Sequence, residues 1–233
     1  MTRQDGRPRH QQIAADLRAQ IMSGDLEGKL PTTQQLMATY MVGSPTVQRA
    51  LQVLKDERFV EGRRGSGVYA VDRVTLESTP YIPAEGGYAY KLLQVAEGAP
   101  PAEVRRAFNI GSEDEDAVVL RKRIMTLHGE PVELSWSCYP LEVAAGTPLA
   151  AAKKIKGGAT VLLGSLGFKP VRYEERMTAR LPTTTELELL ELPDEVPVLR
   201  KVRVLFTSDD RPVEATVMIR SGHRYEEHAS DTI

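Results

Sequence analysis

Three short helical patterns and a glycine-rich hairpin, set end to end within the first seventy residues, constrain this chain more than any other feature. In the first pattern Ile13, Leu17 and Ile21 recur every four residues with Ala14 beside them, which marks one buried stripe, and Gly24 follows as a helix stop. The second helix is predicted after Pro31, with Thr32 or Thr33 as N-cap and Leu36, Met37 and Tyr40 turned inward. The third opens at Ser44-Pro45, read as an N-cap serine followed by proline at the first helical position, and buries Val47, Ala50, Leu51 and Leu54. Thr46, Gln48, Arg49, Gln52 and Lys55 are left facing outward. The run Phe59 to Ala70 then places two short apolar stretches around Arg63-Arg64-Gly65-Ser66-Gly67, which reads as a β-hairpin with a basic tip.

Composition narrows the class around that pattern. A chain of 233 residues is long enough for two domains, and 41% hydrophobic with 27% charged residues is the usage of ordinary globular domains, which excludes disordered and fibrous classes. No apolar run approaches the ~18 residues of a membrane span, and the N-terminus lacks the apolar core of a signal peptide. One cysteine, Cys138, excludes a disulfide framework and a multi-cysteine zinc site. The expectation is a cytoplasmic protein with no membrane association. Residues 1–80 carry 11 basic and 9 acidic side chains, residues 81–233 carry 19 and 23, and the net charge is −2. So weak a basic excess carries no inference about partners; the pattern must.

Helix, helix, short turn, helix, hairpin is the order of a winged helix-turn-helix. A helix with small and amide residues at its N-terminal end fits the major groove, and a hairpin tip of arginines and glycines can approach phosphates or the minor groove. Any single feature is explained equally well by a packed subdomain with solvated outer residues; the ordered set favours DNA. The run Ile13-Ala14, Leu17-Arg18, Ile21, Gly24-Asp25-Leu26, Leu30-Pro31, Leu36, Val42, Thr46-Val47, Arg49-Ala50-Leu51, Leu54, Gly65 and Gly67 resembles the N-terminal domain of GntR-family transcriptional regulators over residues 9–71. The resemblance implies DNA contacts from Gln34, Ser44, Thr46, Gln48, Arg49, Arg63, Arg64, Gly65 and Ser66. Three departures matter: Gln34 stands where the family usually has arginine, Gly43-Ser44-Pro45-Thr46 stands where it has Ser-Arg-Thr-Thr, and Gln48 replaces a frequent arginine. Three fewer cations imply weaker non-specific affinity and an operator unlike the family's usual one.

Residues 71–87 mix charges, Thr79-Pro80, Ile82-Pro83 and paired glycines, the composition of a linker between domains at 1–70 and 88–233. Beyond it lies an internal repeat. Val119 to Ile124 leads through His128-Gly129-Glu130 to Pro131-Val132-Glu133, and Val198 to Val204 leads through Ser208 to Arg211 into Pro212-Val213-Glu214. A short helical stretch precedes each copy, at 101–110 and at 185–192. Two helix-plus-hairpin units sharing one antiparallel sheet are predicted, with a mostly helical stretch from Pro140 to Phe168 and a strand from Val171 to Leu181 between them. The whole chain is therefore α+β with two domains.

Leu120-Arg121-Lys122-Arg123, the Gly129-Glu130-Pro131-Val132 turn, Tyr139-Pro140, and Arg211-Pro212-Val213-Glu214 ahead of Arg224-Tyr225 resemble the UTRA effector-binding domain of the HutC subfamily over residues 86–228, a fold similar to chorismate lyase. Arg121 and Arg123 share a strand face, and two guanidiniums facing one pocket suit a carboxylate or phosphate. The resemblance adds Glu214 and Tyr225 as polar positions of such a pocket. Pairing of the two arginines with Glu133 or Glu214 across the hairpin explains them equally well. Subfamily members often carry a glutamate at the position of Ser135, counted here with the pocket, and an aspartate near His223.

Enzymatic readings find little. His223 and His228 do not stand at a metal-ligand spacing, Cys138 sits in an apolar strand ending, and no nucleophile elbow, P-loop or dinucleotide motif occurs. Likeness to chorismate lyase is a matter of fold and implies no activity. The expectation is a non-enzymatic, cofactor-free regulator, most simply a repressor, that binds a near-palindromic operator as a homodimer and a small anionic effector. The rival expectations are a DNA-binding regulator whose C-terminal domain only dimerises or binds a protein and, more remotely, a lyase-like enzyme.

Overall fold

The computed structural model describes residues 5–72, 74–77, 87–111, 118–193, 196–223 and 225–228. Its contacts divide into two compact units, one of Met1–Leu76 with Pro193–Val196 and His223–Ile233, the other of Glu77–Leu192 with Pro197–Gly222. Among the described residues no helix is long and apolar enough to cross a membrane.

The first unit begins with α1 (Arg9–Ser23), which buries Ile13, Ala14, Leu17 and Ile21 and ends on Gly24 in the left-handed region at φ 81°. Helix α2 (Thr33–Tyr40) is capped by Thr32, whose hydroxyl accepts from the Gln35 N–H while the Gln35 side chain accepts from the Thr32 N–H. Helix α3 (Ser44–Asp56) starts one residue before the sequence reading. The Gly43 carbonyl accepts from the N–H groups of Thr46 and Val47, so Gly43 is the N-cap and Ser44 the first helical residue. Proline is tolerated at the second position as at the first, because no first-turn N–H has a partner inside the helix. The three helices close on one core that includes Leu17, Leu36, Val47, Leu51 and Leu54, with Phe59 and Val60 beneath. Arg18 of α1 pairs with Glu57 and lies 5.4 Å from the Phe59 ring centre, tying the start of the core to the end of α3. The antiparallel hairpin of β1 (Val60–Arg63) and β2 (Gly67–Ala70) follows, with Lys29 bridging to Tyr69.

The chain returns to this unit at its far end. Strand β3 (Val74–Glu77) pairs with the last strand, β10 (Tyr225–His228), as a separate two-stranded sheet, and the His223 ring packs edge-on against Phe59 at 5.4 Å. Against an expected linker at 71–87 and a second domain at 88–233, β10 pairs with β3, and the contacts of the final segment group with the first unit. The proline- and glycine-rich part of the expected linker, residues 78–86, and Arg224 lie outside the described residues.

The second unit is a six-stranded antiparallel sheet in the order β4-β5-β6-β9-β8-β7, built from β4 (Tyr88–Gly98), β5 (Val118–Leu127), β6 (Glu130–Pro140), β7 (Arg172–Arg180), β8 (Val198–Phe206) and β9 (Pro212–Ser221). The repeated hairpins are β5-β6 and β8-β9, each preceded by its short helix, α4 (Ala102–Phe108) and α7 (Thr184–Leu190). Their second strands meet at the centre of the sheet, with Trp136 opposite Val217 and Ser137 opposite Thr216. The stretch expected to be mostly helical holds only α5 (Leu141–Ala144) and α6 (Ala159–Ser165). Gly146, Gly157 and Gly158 take positive φ there, and Pro148 removes a further donor, so alanine and leucine content alone cannot sustain a helix.

Strand alternation gives the sheet two unlike faces. One is apolar: Val118, Leu134, Cys138, Val202, Val204, Ala215, Val217 and Ile219 pack under Val104 of α4 and Leu190 of α7. The other is apolar only at one end, where Val119, Tyr139, Leu205 and Val213 meet Val143, Ala144, Leu149 and Leu163.

Candidate nucleic-acid interface and ligand-binding face

The amphipathic spacing of α3 turns Val47, Ala50, Leu51 and Leu54 into the core and leaves Ser44, Gln48 and Arg49 exposed with Thr46 half-buried. Gln34 on α2 is exposed as well. The Gln48 amide donates to the Thr33 hydroxyl at 3.0 Å, so this side chain is held by α2 before any base approaches. Among the described residues Arg49 makes no such contact. At the hairpin tip Gly65 takes φ 71°, a left-handed turn that costs any other residue ~1 kcal/mol or more. Arg63 lies over the Tyr69 ring at 4.2 Å and donates to Glu61, and the Ser66 hydroxyl meets the Tyr69 hydroxyl, while Arg64 extends exposed. The wing therefore presents one prepositioned cation and one extended cation rather than two equivalent ones.

On the second unit, Arg121, Arg123, Ser135 and Glu214 fall on the face of β5, β6 and β9 opposite α4 and α7, while Tyr225 lies on β10, which pairs with β3 in a separate two-stranded sheet. The two arginines are not equivalent. Arg121 is buried, and its guanidinium donates to the carbonyls of Leu149, Ala151 and Lys153 at 2.6–2.7 Å, closing the 149–153 segment onto the sheet. Burial holds its pKa below the usual arginine value, yet the three carbonyls accept three of its five N–H donors and so compensate the charge. Arg123 donates once, to Ser137 Oγ at 3.0 Å. From there a relay runs from Ser137 through the Thr216 hydroxyl to Glu214 Oε1, each step 2.7 Å. Neither arginine pairs with Glu133; that buried carboxylate takes Arg220 of β9 at 2.8 Å.

Around this relay three oxygens, Ser135 Oγ, Tyr139 Oη and Glu214 Oε2, are buried with no well-formed hydrogen bond. Burial, with Glu214 nearby, pushes the Tyr139 hydroxyl well above the usual phenol range and the Cys138 thiol on the opposite face up to about 12. Further along the same face Glu175 of β7 receives Lys201 Nζ at 3.2 Å and also the Arg203 guanidinium, and Arg203 lies 5.3 Å from the Tyr173 ring centre. Burial works to raise the Glu175 carboxyl, but the Arg203 and Lys201 charges outweigh it and hold the group below its ordinary value. Burial in turn lowers the Lys201 ammonium, against the attraction of Glu175.

Sequence reasoning missed Ser137, Tyr139, Thr216, Lys201 and Arg203. The signal was present: polar residues at every second position, Ser135-Ser137-Tyr139 and Glu214-Thr216, in strands whose intervening residues are apolar. An antiparallel strand buried on both sides is expected to lose that alternation, so a polar row on an otherwise covered face marks a cavity or a site.

Comparison with known proteins agrees with both halves. Residues 9–70 match the model of the gntR family of bacterial regulatory proteins, and residues 84–226 match that of the UTRA domain. No curated protein matches the chain. Among solved structures, one attributed to a GntR-family transcriptional regulator is 24% identical and aligns over 97% of this chain and 98% of its own at a TM-score of 0.60. PhnF of Mycobacterium smegmatis is 19% identical over 94% and 99% of the two chains at 0.59, and YydK of Bacillus subtilis is 19% identical over 97% and 100% at 0.56. These likenesses concern the fold.

Proposed function

Because the chain belongs to the GntR family of bacterial regulatory proteins and carries a UTRA domain, we propose that it is a cytoplasmic, homodimeric repressor of the HutC type, released from its operator by a small anionic effector. The N-terminal unit reads DNA: Ser44, Thr46, Gln48 and Arg49 meet base edges and phosphates in the major groove. Gln34 contacts the backbone from α2, and Arg63, Arg64, Gly65 and Ser66 hold it from the wing. Two-fold symmetry of the dimer sets a near-palindromic operator with half-sites about one helical turn (~10 bp) apart or less.

The effector reading rests on one observation, the polar row of Arg123, Ser135, Ser137, Tyr139, Glu214 and Thr216 on a sheet face that is apolar beside it. Buried oxygens without a well-formed hydrogen bond are rare in folded proteins, and a ligand is one way to satisfy them. Arg123 supplies the cation for a carboxylate or phosphate, while Arg121 shapes the wall by fixing the 149–153 segment. Control follows if the ligand binds more tightly to a dimer whose winged helices are wrongly spaced for the operator.

The test is the anisotropy of a labelled duplex from upstream of the protein's own gene, titrated at several salt concentrations and then with small carboxylates and phosphates. Tight, salt-steep, competitor-resistant binding that an anion reverses supports the reading. Operator binding unmoved by every anion, with Arg123→Ala also without effect, favours a C-terminal domain that only dimerises or binds a protein.

A further inference from the structure

Strand β7 is one of the two edge strands of the six, β4 being the other, and among the described residues no strand pairs with its outer edge. It is also where the exposed apolar side chains of the second unit gather. Val171, Tyr173, Met177 and Leu181 are 59%, 46%, 47% and 65% exposed; among the other described residues of that unit only Val161 is a large apolar residue so open. Tyr173, Met177 and Leu181 are spaced by four and so share one side of the strand. A long edge with such a row is a template for another strand, which proteins normally blunt with charge or cover.

The sequence of the edge selects what covers it. Two copies of β7 related by a two-fold axis normal to the sheet pair antiparallel, and residues opposite each other must then lie on the same side. A register centred on Arg176 opposes Arg176 to itself and Arg172 to Arg180. One centred on Glu175 opposes two carboxylates. One centred on Met177 opposes Met177 to Met177, Tyr173 to Leu181 twice, and Glu174 to Arg180 twice, with no like charges facing. Glu174 and Arg180 keep 58% and 36% of their side chains exposed; within one chain they pair with Arg172 and Glu186, so the contact across the seam extends these ion pairs rather than engaging idle charges.

We propose that β7 is the dimer interface of the regulator, pairing antiparallel with β7 of a second copy in the register centred on Met177, and so joining two six-stranded sheets edge to edge. The inference rests on the homodimeric reading above and gives it an address. It also places the interface next to the ligand-binding face. Glu175, on the pairing strand, holds Lys201 and Arg203, and Tyr173 lies beside Arg203. An anion that draws Lys201 or Arg203 away from Glu175 alters the strand that sets the geometry of the dimer.

Cysteine cross-linking of the full chain tests the register. The native Cys138 is buried with its thiol pushed up to about 12, so it stays silent under mild oxidation. Met177→Cys should form a reducible covalent dimer, since directly opposed antiparallel residues lie within disulfide reach, whereas Glu175→Cys, four residues from its own symmetry mate, should not. In parallel, Tyr173→Glu with Met177→Glu should convert a dimer to a monomer in light scattering while leaving the circular dichroism unchanged. Cross-linking through Glu175→Cys instead would overturn the register. A wild-type dimer that survives the double glutamate variant would overturn the interface but leave the homodimeric reading intact. A wild-type monomer would overturn both.

Discussion

Replacing Arg121 with methionine separates the two roles that this arginine can play. The side chain is 4% exposed and donates three charge-assisted hydrogen bonds to the carbonyls of Leu149, Ala151 and Lys153. At about 1.5 kcal/mol each, the low end for a charged donor, their loss costs about 4–5 kcal/mol. Relief from burying the guanidinium returns about 1–2, leaving a net loss of about 3 kcal/mol. A domain of ~150 residues loses about 2–4 °C per kcal/mol, so the transition of the C-terminal unit should fall by about 6–12 °C in calorimetry, and cleavage within 145–158 should accelerate. Arg121→Lys should recover little, because an ammonium cannot span three carbonyls as the planar fork does. The reasoning is refuted if Arg121→Met melts within about 2 °C of the wild type yet loses its response to every anion. The guanidinium would then belong to the ligand, and the 149–153 segment would be held by something else.

Other substitutions probe the two units separately. Arg49→Ala should weaken operator binding by at least tenfold and lower the salt slope by about one, with dimer mass and effector response unchanged; loss of the dimer in this variant counts against the division of labour. Thr32→Ala removes the α2 capping box and should cost about 1 kcal/mol, a drop of about 4–8 °C in the melting of the N-terminal unit alone; an unchanged melt would mean that core packing, not the cap, fixes the start of α2. Glu175 has a folded pKa below its ordinary value of 4.5, so its ion cluster stabilises the fold fully above that value and the contribution is lost as pH falls through the folded pKa. Chemical unfolding between pH 7 and pH 3 should therefore show a shallower acid loss in Glu175→Gln than in the wild type; identical profiles would place the acid sensitivity elsewhere.

Much of this was legible from residue spacing. The stripe Ile13-Leu17-Ile21 and the inward set of α3 follow from the 3.6-residue period, and the double hairpin follows from repeated Pro-Val-Glu strands after polar turns. Where spacing alone was read, small errors came from neighbours the pattern does not contain. Gly43 rather than Ser44 caps α3 because its carbonyl happens to reach two N–H groups. The 140–168 stretch has helical composition but is broken by glycines and a proline whose dihedrals only the fold fixes.

What the sequence by itself determined is thus periodic: which residues face inward, where elements start and stop, and which positions on a strand share a side. Periodicity is a local property, set by backbone geometry within a few residues. Tertiary structure decided everything that depends on partners distant in sequence. It gave Arg121 to the carbonyls of a segment 28–32 residues away and Arg123 to Ser137, although the two arginines look alike from their strand. It paired the strand of Tyr225 with β3, and it set Glu175 of β7 against Lys201 and Arg203 of β8. The physical reason is that a long polar side chain has several chemically equivalent destinations, and only the assembled sheet determines which acceptor lies within hydrogen-bond reach.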